Sequence, residues 1–142
     1  MIDKKSVERS KLFLYKEGMI MKGKLYLASS YDEKLNMFRI NIARKDMYGV
    51  HKRFLDLAPS KRLFGWAQSN KKNRNWFKYY KEAYLEEIKE NKIAQEKIKF
   101  IEDMLDKGED VCLLCFCRTW HHCHRGILGE IFQDKGYQVI WG

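Results

Sequence analysis

The chain has little of what marks disordered, fibrous or secreted proteins. It contains a single proline among 142 residues, and no repeat, linker or low-complexity stretch interrupts it. Its 45% hydrophobic and 14% aromatic residues are enough to build a core, which excludes a disordered or collagen-like chain. The composition therefore predicts one domain over residues 1–142, with residues 1–10 frayed at the amino terminus.

A long apolar run is also missing. The run at residues 12–15 is too short for the core of a signal peptide or for a membrane span. The four cysteines all fall within residues 112–123, unlike the dispersed framework of a secreted disulfide-rich domain. We therefore expect a cytoplasmic protein without a membrane partner, and the sequence leaves its oligomeric state open.

The formal charge of +9 is concentrated in one block. Residues 44–75 carry nine lysines or arginines against two acids, and they are predicted to form an insertion of loop and short helix. Aromatic residues are interleaved with these cations, a composition that can bind a nucleic-acid strand through charge and stacking. The residues predicted to make such contacts are Lys71, Lys72 and Arg74. The alternative is a solvated loop whose aromatic side chains anchor it to the core.

Alternating and helical apolar patterns predict the order of elements. Strands are expected at residues 24–30, 36–43, 111–117 and 137–141, and helices at 76–91 and 92–106, with another starting near Cys123. Because helices between consecutive strands require crossover connections, the strands should form one small, mainly parallel sheet. The predicted fold class is α/β, with three layers and helices on both faces of the sheet.

Reactive side chains are concentrated between Val111 and Gly129. This stretch holds all four cysteines and three of the four histidines, at a predicted junction between a strand and a helix. Cys117 should lie at the carboxyl end of the strand, where open α/β sheets bind ligands. Cys123, His124 and Arg125 should lie on or just before the first helical turn, whose unpaired N–H groups favour an anion and lower the pKa of a thiol.

The same residues resemble a known family. Leu-Leu-Cys-Phe-Cys at residues 113–117 and Cys-His-Arg at residues 123–125 are similar to the carboxyl-terminal signature of the DUF488 domain family. Weaker likenesses extend upstream through residues 26–31, 38–42 and 57–60, so the resemblance covers residues 24–142. It implies a Rossmann-like α/β domain and supplies no established activity.

The leading hypothesis is a pocket for a nucleotide-like or other phosphate-bearing ligand at this junction. Arginine offers a planar fork to phosphate oxygens, and hydroxyls at the end of the first strand can approach the same ligand. Arg125, Ser29, Ser30, Tyr31 and Arg39 are the predicted ligand contacts. Whether the protein is an enzyme is left open; in a thiol-based reaction Cys117 or Cys123 would be the nucleophile and His122 or His124 its acid or base. This hypothesis requires no cofactor.

Two other interpretations of the junction remain. Cys115, Cys117, Cys123 and His124 supply enough thiolate and imidazole ligands for a tetrahedral zinc ion, although Cys115 is predicted to point into the sheet. Alternatively the thiols are buried and inert, and Trp120 and the histidines only close a turn. A rival hypothesis for the whole protein is a non-catalytic nucleic-acid or partner-binding protein that acts through the basic block. The loop of protein tyrosine phosphatases is excluded, because the position six residues after Cys123, where that loop has its arginine, is Gly129.

Overall fold

A parallel sheet organises the structure. The computed structural model describes residues 21–30 and 36–142, and in this part of the chain five strands form one sheet in the order β3-β2-β4-β1-β5, with every neighbouring pair parallel. The strands are β1 Leu25–Ser29, β2 Phe38–Asn41, β3 Lys52–Arg53, β4 Val111–Cys115 and β5 Val139–Trp141. All carboxyl ends therefore lie along one edge, where Ser29 of β1 is in register with Cys115 of β4.

Within residues 21–30 and 36–142, four α-helices cover one face of this sheet. They are α1 Lys61–Asn70, α2 Trp76–Glu90, α3 Lys92–Asp106 and α4 His124–Asp134, and a 3-10 helix spans Leu55–Leu57. Their apolar stripes join every second strand residue in one core, because side chains alternate between the two faces of a strand. Leu27, Ile40 and Leu113 from the sheet and Tyr84 and Ile101 from the helices are almost fully buried in this core.

The other face of the sheet carries a smaller apolar cluster. Ala28, Cys112 and Leu114 are buried there, with Tyr26, Met37, Met47 and Val50 packed against them. Strand β4 is thus buried on both faces, as its continuous apolar sequence predicted. Residues 1–10, predicted to be frayed, lie outside the described residues.

The segment before α1 is fixed against α2. The Ser60 side chain accepts a hydrogen bond from the Leu63 N–H and caps α1, and its backbone N–H donates to Glu87 at 2.9 Å. Tyr84 donates from its hydroxyl to the Leu57 carbonyl at 2.6 Å. These contacts place Pro59 beside the carboxyl edge of the sheet, where its carbonyl accepts from Arg44 at 2.9 Å.

The predicted α/β class and Rossmann-like fold are confirmed, with three differences in detail. Helices were predicted on both faces of the sheet, whereas the four described helices all pack on one face and loop residues cover part of the other. Strand β3 lies inside the basic block and was predicted as loop, because its two residues are exposed and polar and show no apolar alternation. Strand β4 ends at Cys115, two residues earlier than expected, since the Cys117 carbonyl beyond it accepts a hydrogen bond from the Arg125 side chain. None of the described helices is both long and apolar enough to cross a membrane.

Candidate functional site

A loop of eight residues, 116–123, joins β4 to α4 at the carboxyl edge of the sheet. Cys115 ends the strand, Cys117 lies in the loop, and Cys123 is the residue that precedes the first turn of the helix. The loop turns back toward the helix through His122, whose φ of 55° is in the left-handed region. The junction predicted from the sequence therefore exists, with Cys123, His124 and Arg125 at the helix start.

Arg125 holds this loop from inside the protein. Its side chain is fully buried, and Nη1 donates to the carbonyl of Ala28, to that of Cys117 at 3.2 Å and to that of Cys115 at 3.5 Å. These three carbonyls belong to the ends of β1 and β4 and to the loop, so one guanidinium joins all three segments. Within the described part of the chain, the buried Nε and Nη2 of Arg125 have no hydrogen-bond partner.

His124 is fixed in one tautomer by the backbone. Its Nε2 lies 2.7 Å from the carbonyl oxygen of Ile42, and because a carbonyl can only accept, Nε2 carries the proton. Nδ1 is then unprotonated and lies 3.9 Å from the Cys123 sulfur. Burial of the ring lowers the pKa of His124 to about 4, so the imidazole is neutral at pH 7.

Three sulfurs meet beside this histidine. Cys115 and Cys123 both contact the Cys117 side chain, and their S–H groups stabilise a thiolate there, which holds the pKa of Cys117 well below its ordinary value. The same contact with Cys117 raises the pKa of Cys115, and contact with Cys115 and Cys117 raises that of Cys123. Cys115 and Cys123 are buried, whereas Cys117 is exposed. The group therefore has one accessible sulfur and two protected ones.

The Cys/His group lies at one end of a cleft of about 580 Å³ above the carboxyl ends of β2 and β4. Helices α1 and α2 form the opposite wall. Four aromatic side chains line the cleft, and three cations line it from the basic block. These lining residues are Phe64, Trp76, Tyr80 and Phe116, together with Arg44, Lys45 and Lys71.

A buried asparagine at the end of β2 shapes the cationic side of the cleft. The Asn41 side chain accepts from the Ala43 N–H at 2.8 Å and donates to the Lys45 carbonyl at 2.9 Å. It thereby closes the turn that carries Arg44 and Lys45. The Lys45 ammonium lies 5.6 Å from the centre of the Phe116 ring, so this turn also contacts the loop after β4.

Some of the predicted ligand contacts lie elsewhere. Ser29 is buried at the end of β1, and Ser30 is half-buried, with its N–H donating to the Cys115 carbonyl at 3.0 Å. Arg39 is in register with Cys112 rather than with the carboxyl ends, and its Nε donates to the Gly49 carbonyl at 2.5 Å. Tyr31 lies outside the described residues.

The other predicted residues gather at or near the cleft. His122 lines it and packs against the Phe77 ring at 4.9 Å between centroids. Cys115, Cys117, Cys123 and His124 all line it as well. Of the three cations predicted to contact nucleic acid, Lys71 lines the cleft, while Lys72 and Arg74 are exposed in the turn between α1 and α2.

Sequence reasoning did not assign Lys45, Trp76, Tyr80 or Asn41 to the site. Trp76 and Tyr80 belong to the apolar stripe of α2, and nothing in that stripe separates a residue facing the core from one facing a cleft. Lys45 was counted only within the basic block. The available signal was its position just after a strand, which in a parallel sheet predicts proximity to the other carboxyl ends.

The different exposures of the four cysteines predict how many thiols react in the native protein. In the native protein one thiol per chain is expected to react rapidly with iodoacetamide, because Cys117 is exposed and Cys112, Cys115 and Cys123 are buried. All four should react after denaturation, and Cys117→Ser should remove the fast phase. Mass spectrometry of the labelled peptides checks this; a fast phase that survives Cys117→Ser would contradict it.

No curated protein and no solved structure matches the chain. A family model described as the active DUF488-N3 subclade matches residues 24–136, from the first strand through the helix that begins with His124. Since this match spans most of the chain and includes every residue that lines the cleft, the protein belongs to the DUF488 family, in its N3 subclade.

Proposed function

We propose that the cleft binds a small, planar, phosphate-bearing ligand of the nucleotide kind. The observation that carries this proposal is the joint presence of three cations and four aromatic side chains around a single cavity of about 580 Å³. A cavity of this size matches those that bind small molecules and cofactors. Its position beyond the carboxyl ends of parallel strands is also where open α/β sheets bind ligands.

The two kinds of side chain would recognise the two parts of such a ligand. The flat rings of Trp76 and Phe64 offer surfaces on which a base can stack, a contact that contributes about 1–3 kcal/mol per base. Arg44, Lys45 and Lys71 would contact the phosphate. The guanidinium of Arg44 is already oriented by the Pro59 carbonyl, so little side-chain entropy is lost when it binds.

This proposal changes the role of Arg125. Its guanidinium is buried under the loop and is not among the groups that line the cleft, so we assign the phosphate contact to Arg44, Lys45 and Lys71 instead. Arg125 then acts as a positioning residue, which holds Cys117 and the ends of β1 and β4 against the start of α4 through hydrogen bonds to their backbone carbonyls.

A thiol-based reaction is a further part of the proposal. Cys117 is the exposed sulfur on the cleft wall, and His122 lines the same cleft, so a nucleophile and an acid or base face the bound ligand. His124 is less suited to proton transfer, since its Nε2 is held by the Ile42 carbonyl.

Titration of mononucleotides and inorganic phosphate tests the binding proposal. Wild-type protein should be stabilised in thermal shift and should bind in calorimetry. Lys71→Ala and Arg44→Gln should each weaken binding by about 1.5–3 kcal/mol, the contribution of one charged hydrogen bond. Lys89→Ala is the matched control, because Lys89 is an exposed lysine outside the cleft. Equal binding by wild type and Lys71→Ala would exclude the cleft as the site.

Single-stranded nucleic acid is the second candidate ligand. One observation favours it. Lys71 lines the cleft, and Lys72 and Arg74 extend its positive charge along the exposed turn that follows. An oligonucleotide should then bind much more tightly than a mononucleotide, with a steep loss of affinity as salt rises. Lys72→Glu with Arg74→Glu should weaken oligonucleotide binding and leave mononucleotide binding unchanged. If the double variant bound both the oligonucleotide and the mononucleotide like wild type, the ligand contacts would be restricted to the cleft.

A further inference from the structure

We propose that Cys115, Cys123 and His124 bind a zinc ion through their two sulfurs and Nδ1, with the fourth coordination position facing the cleft. This inference goes beyond the proposed nucleotide-like ligand and does not depend on it. A three-residue site with an open position is the arrangement found in catalytic rather than structural zinc sites.

The three donor atoms already lie close together. All of them are within 4.8 Å of one another, although they come from the end of β4 and from the start of α4. In tetrahedral zinc sites, with Zn–S bonds of about 2.3 Å and Zn–N bonds of about 2.0–2.1 Å, ligand atoms are roughly 3.5–3.8 Å apart. The Cys123 sulfur and the His124 Nδ1 are separated by 3.9 Å, so small side-chain rotations would complete the geometry.

The second nitrogen of His124 supports the same assignment. A histidine that binds metal usually donates its other N–H to a carboxylate or backbone carbonyl, which fixes the tautomer and aims the free lone pair. Here Nε2 donates to Ile42 at 2.7 Å, and the nitrogen that remains free is the one beside Cys123. Without metal, the Cys123 S–H can donate only a weak hydrogen bond to this lone pair, and zinc coordination would replace that contact with a stronger one.

Charge and access also fit zinc. The exposed fractions of Cys115, Cys123 and His124 are 5%, 2% and 5%, so two bare thiolates would be costly here. A divalent ion cancels the charge of two thiolates, and two sulfurs with one imidazole form a donor set that zinc binds in proteins. All three residues line the cleft, which gives the ion an entry path. Cys117 touches both sulfurs but lies on the exposed side, beside the open position.

Cobalt(II) titration of chelator-treated full-length protein tests the site without any nucleotide. We expect one equivalent to bind and to produce the intense visible bands of tetrahedral cobalt and the near-ultraviolet absorption of thiolate coordination. One equivalent of zinc should displace it. Because the readout contains no nucleotide, its failure would be distinguishable from failure of the proposed ligand binding.

Four variants and one control identify the ligands. Cys115→Ser, Cys123→Ser and His124→Ala should each weaken metal binding by at least tenfold, whereas His124→Cys should retain it and increase the thiolate absorption. Cys112→Ala is the matched control, because Cys112 is a buried cysteine of the same strand in the cluster on the opposite face. It should bind cobalt like wild type, as should Cys117→Ser.

The outcomes that would overturn the proposal are also defined. A wild-type spectrum without tetrahedral bands, or bands that persist when Cys115 and Cys123 are both replaced by serine, would exclude the site. Complete loss of metal binding in Cys117→Ser would show that Cys117 is a fourth ligand, and it would overturn the proposal that the fourth coordination position is open. Where a serine variant fails to fold by circular dichroism, the wild-type titration and the gain of thiolate absorption in His124→Cys still decide the matter.

Discussion

Replacing Arg125 by alanine is expected to destabilise the protein by about 2–4 kcal/mol, one of the largest effects of any single substitution near the site. Three contributions add to this loss. The carbonyls of Ala28 and Cys117 each lose the Arg125 donor, the Cys115 carbonyl loses one of its donors, and a cavity replaces a fully buried side chain. The loop after β4 also loses its connection to the end of β1. Urea unfolding of wild type and variant measures the effect.

Two further variants separate the causes. Arg125→Met fills most of the volume but supplies no donor, so it should destabilise less than alanine. Burying a guanidinium whose Nε and Nη2 lack partners among the described residues is itself costly, and methionine removes that cost. Arg74→Ala, at an exposed arginine, is the control and should change stability by less than about 0.5 kcal/mol. A stability for Arg125→Ala close to that of the control would contradict the assigned role.

The fold could be read from the sequence because its main elements have strong, unambiguous periodicities. Helices α2 and α3 follow their apolar stripes closely, and β1, β2 and β4 begin within two residues of their predicted starts. Strand β3 could not be predicted, since it is stabilised by pairing with β2 rather than by burial of its own side chains. The sequence contains no local signal for such an edge strand.

The site was predicted in part, for equally physical reasons. Clustering of cysteine and histidine located the junction, and the topology of a parallel sheet placed it at the carboxyl edge. The alternation of side chains along β4 correctly predicted that Cys115 points toward the core. At the end of the strand, that direction brings its sulfur close to Cys123 and His124. What this alternation cannot predict is the path of an irregular loop, which here depends on one buried arginine and on a left-handed His122. The cleft lining from α1 and α2 likewise depends on tertiary packing.

Replacing Gly126 by alanine is expected to destabilise the protein by about 1–3 kcal/mol and to disturb the thiol group. A Cβ atom on Gly126 would lie 2.7 Å from the backbone oxygen of Trp120, closer than packed atoms tolerate. That oxygen also accepts the Cys123 N–H at 3.3 Å, so any shift that relieves the clash moves the residue that begins α4. Urea unfolding measures the change in stability. Iodoacetamide labelling should show more than one fast-reacting thiol, because the buried Cys123 becomes accessible to the reagent.

Gly65→Ala is the matched control, with an expected effect of opposite sign. Gly65 lies inside α1, and a Cβ atom there would meet nothing within 4 Å. Alanine should therefore stabilise the protein by about 0.5–1 kcal/mol through its higher helix propensity, and labelling should still show one fast thiol. The same gain in propensity acts at Gly126, so the difference between the two variants isolates the cost of displacing Trp120. If both variants were stabilised equally and labelled alike, the loop after β4 would not be held against the helix as the structure has it, and the geometry from which the cleft and the metal site are inferred would lose its support.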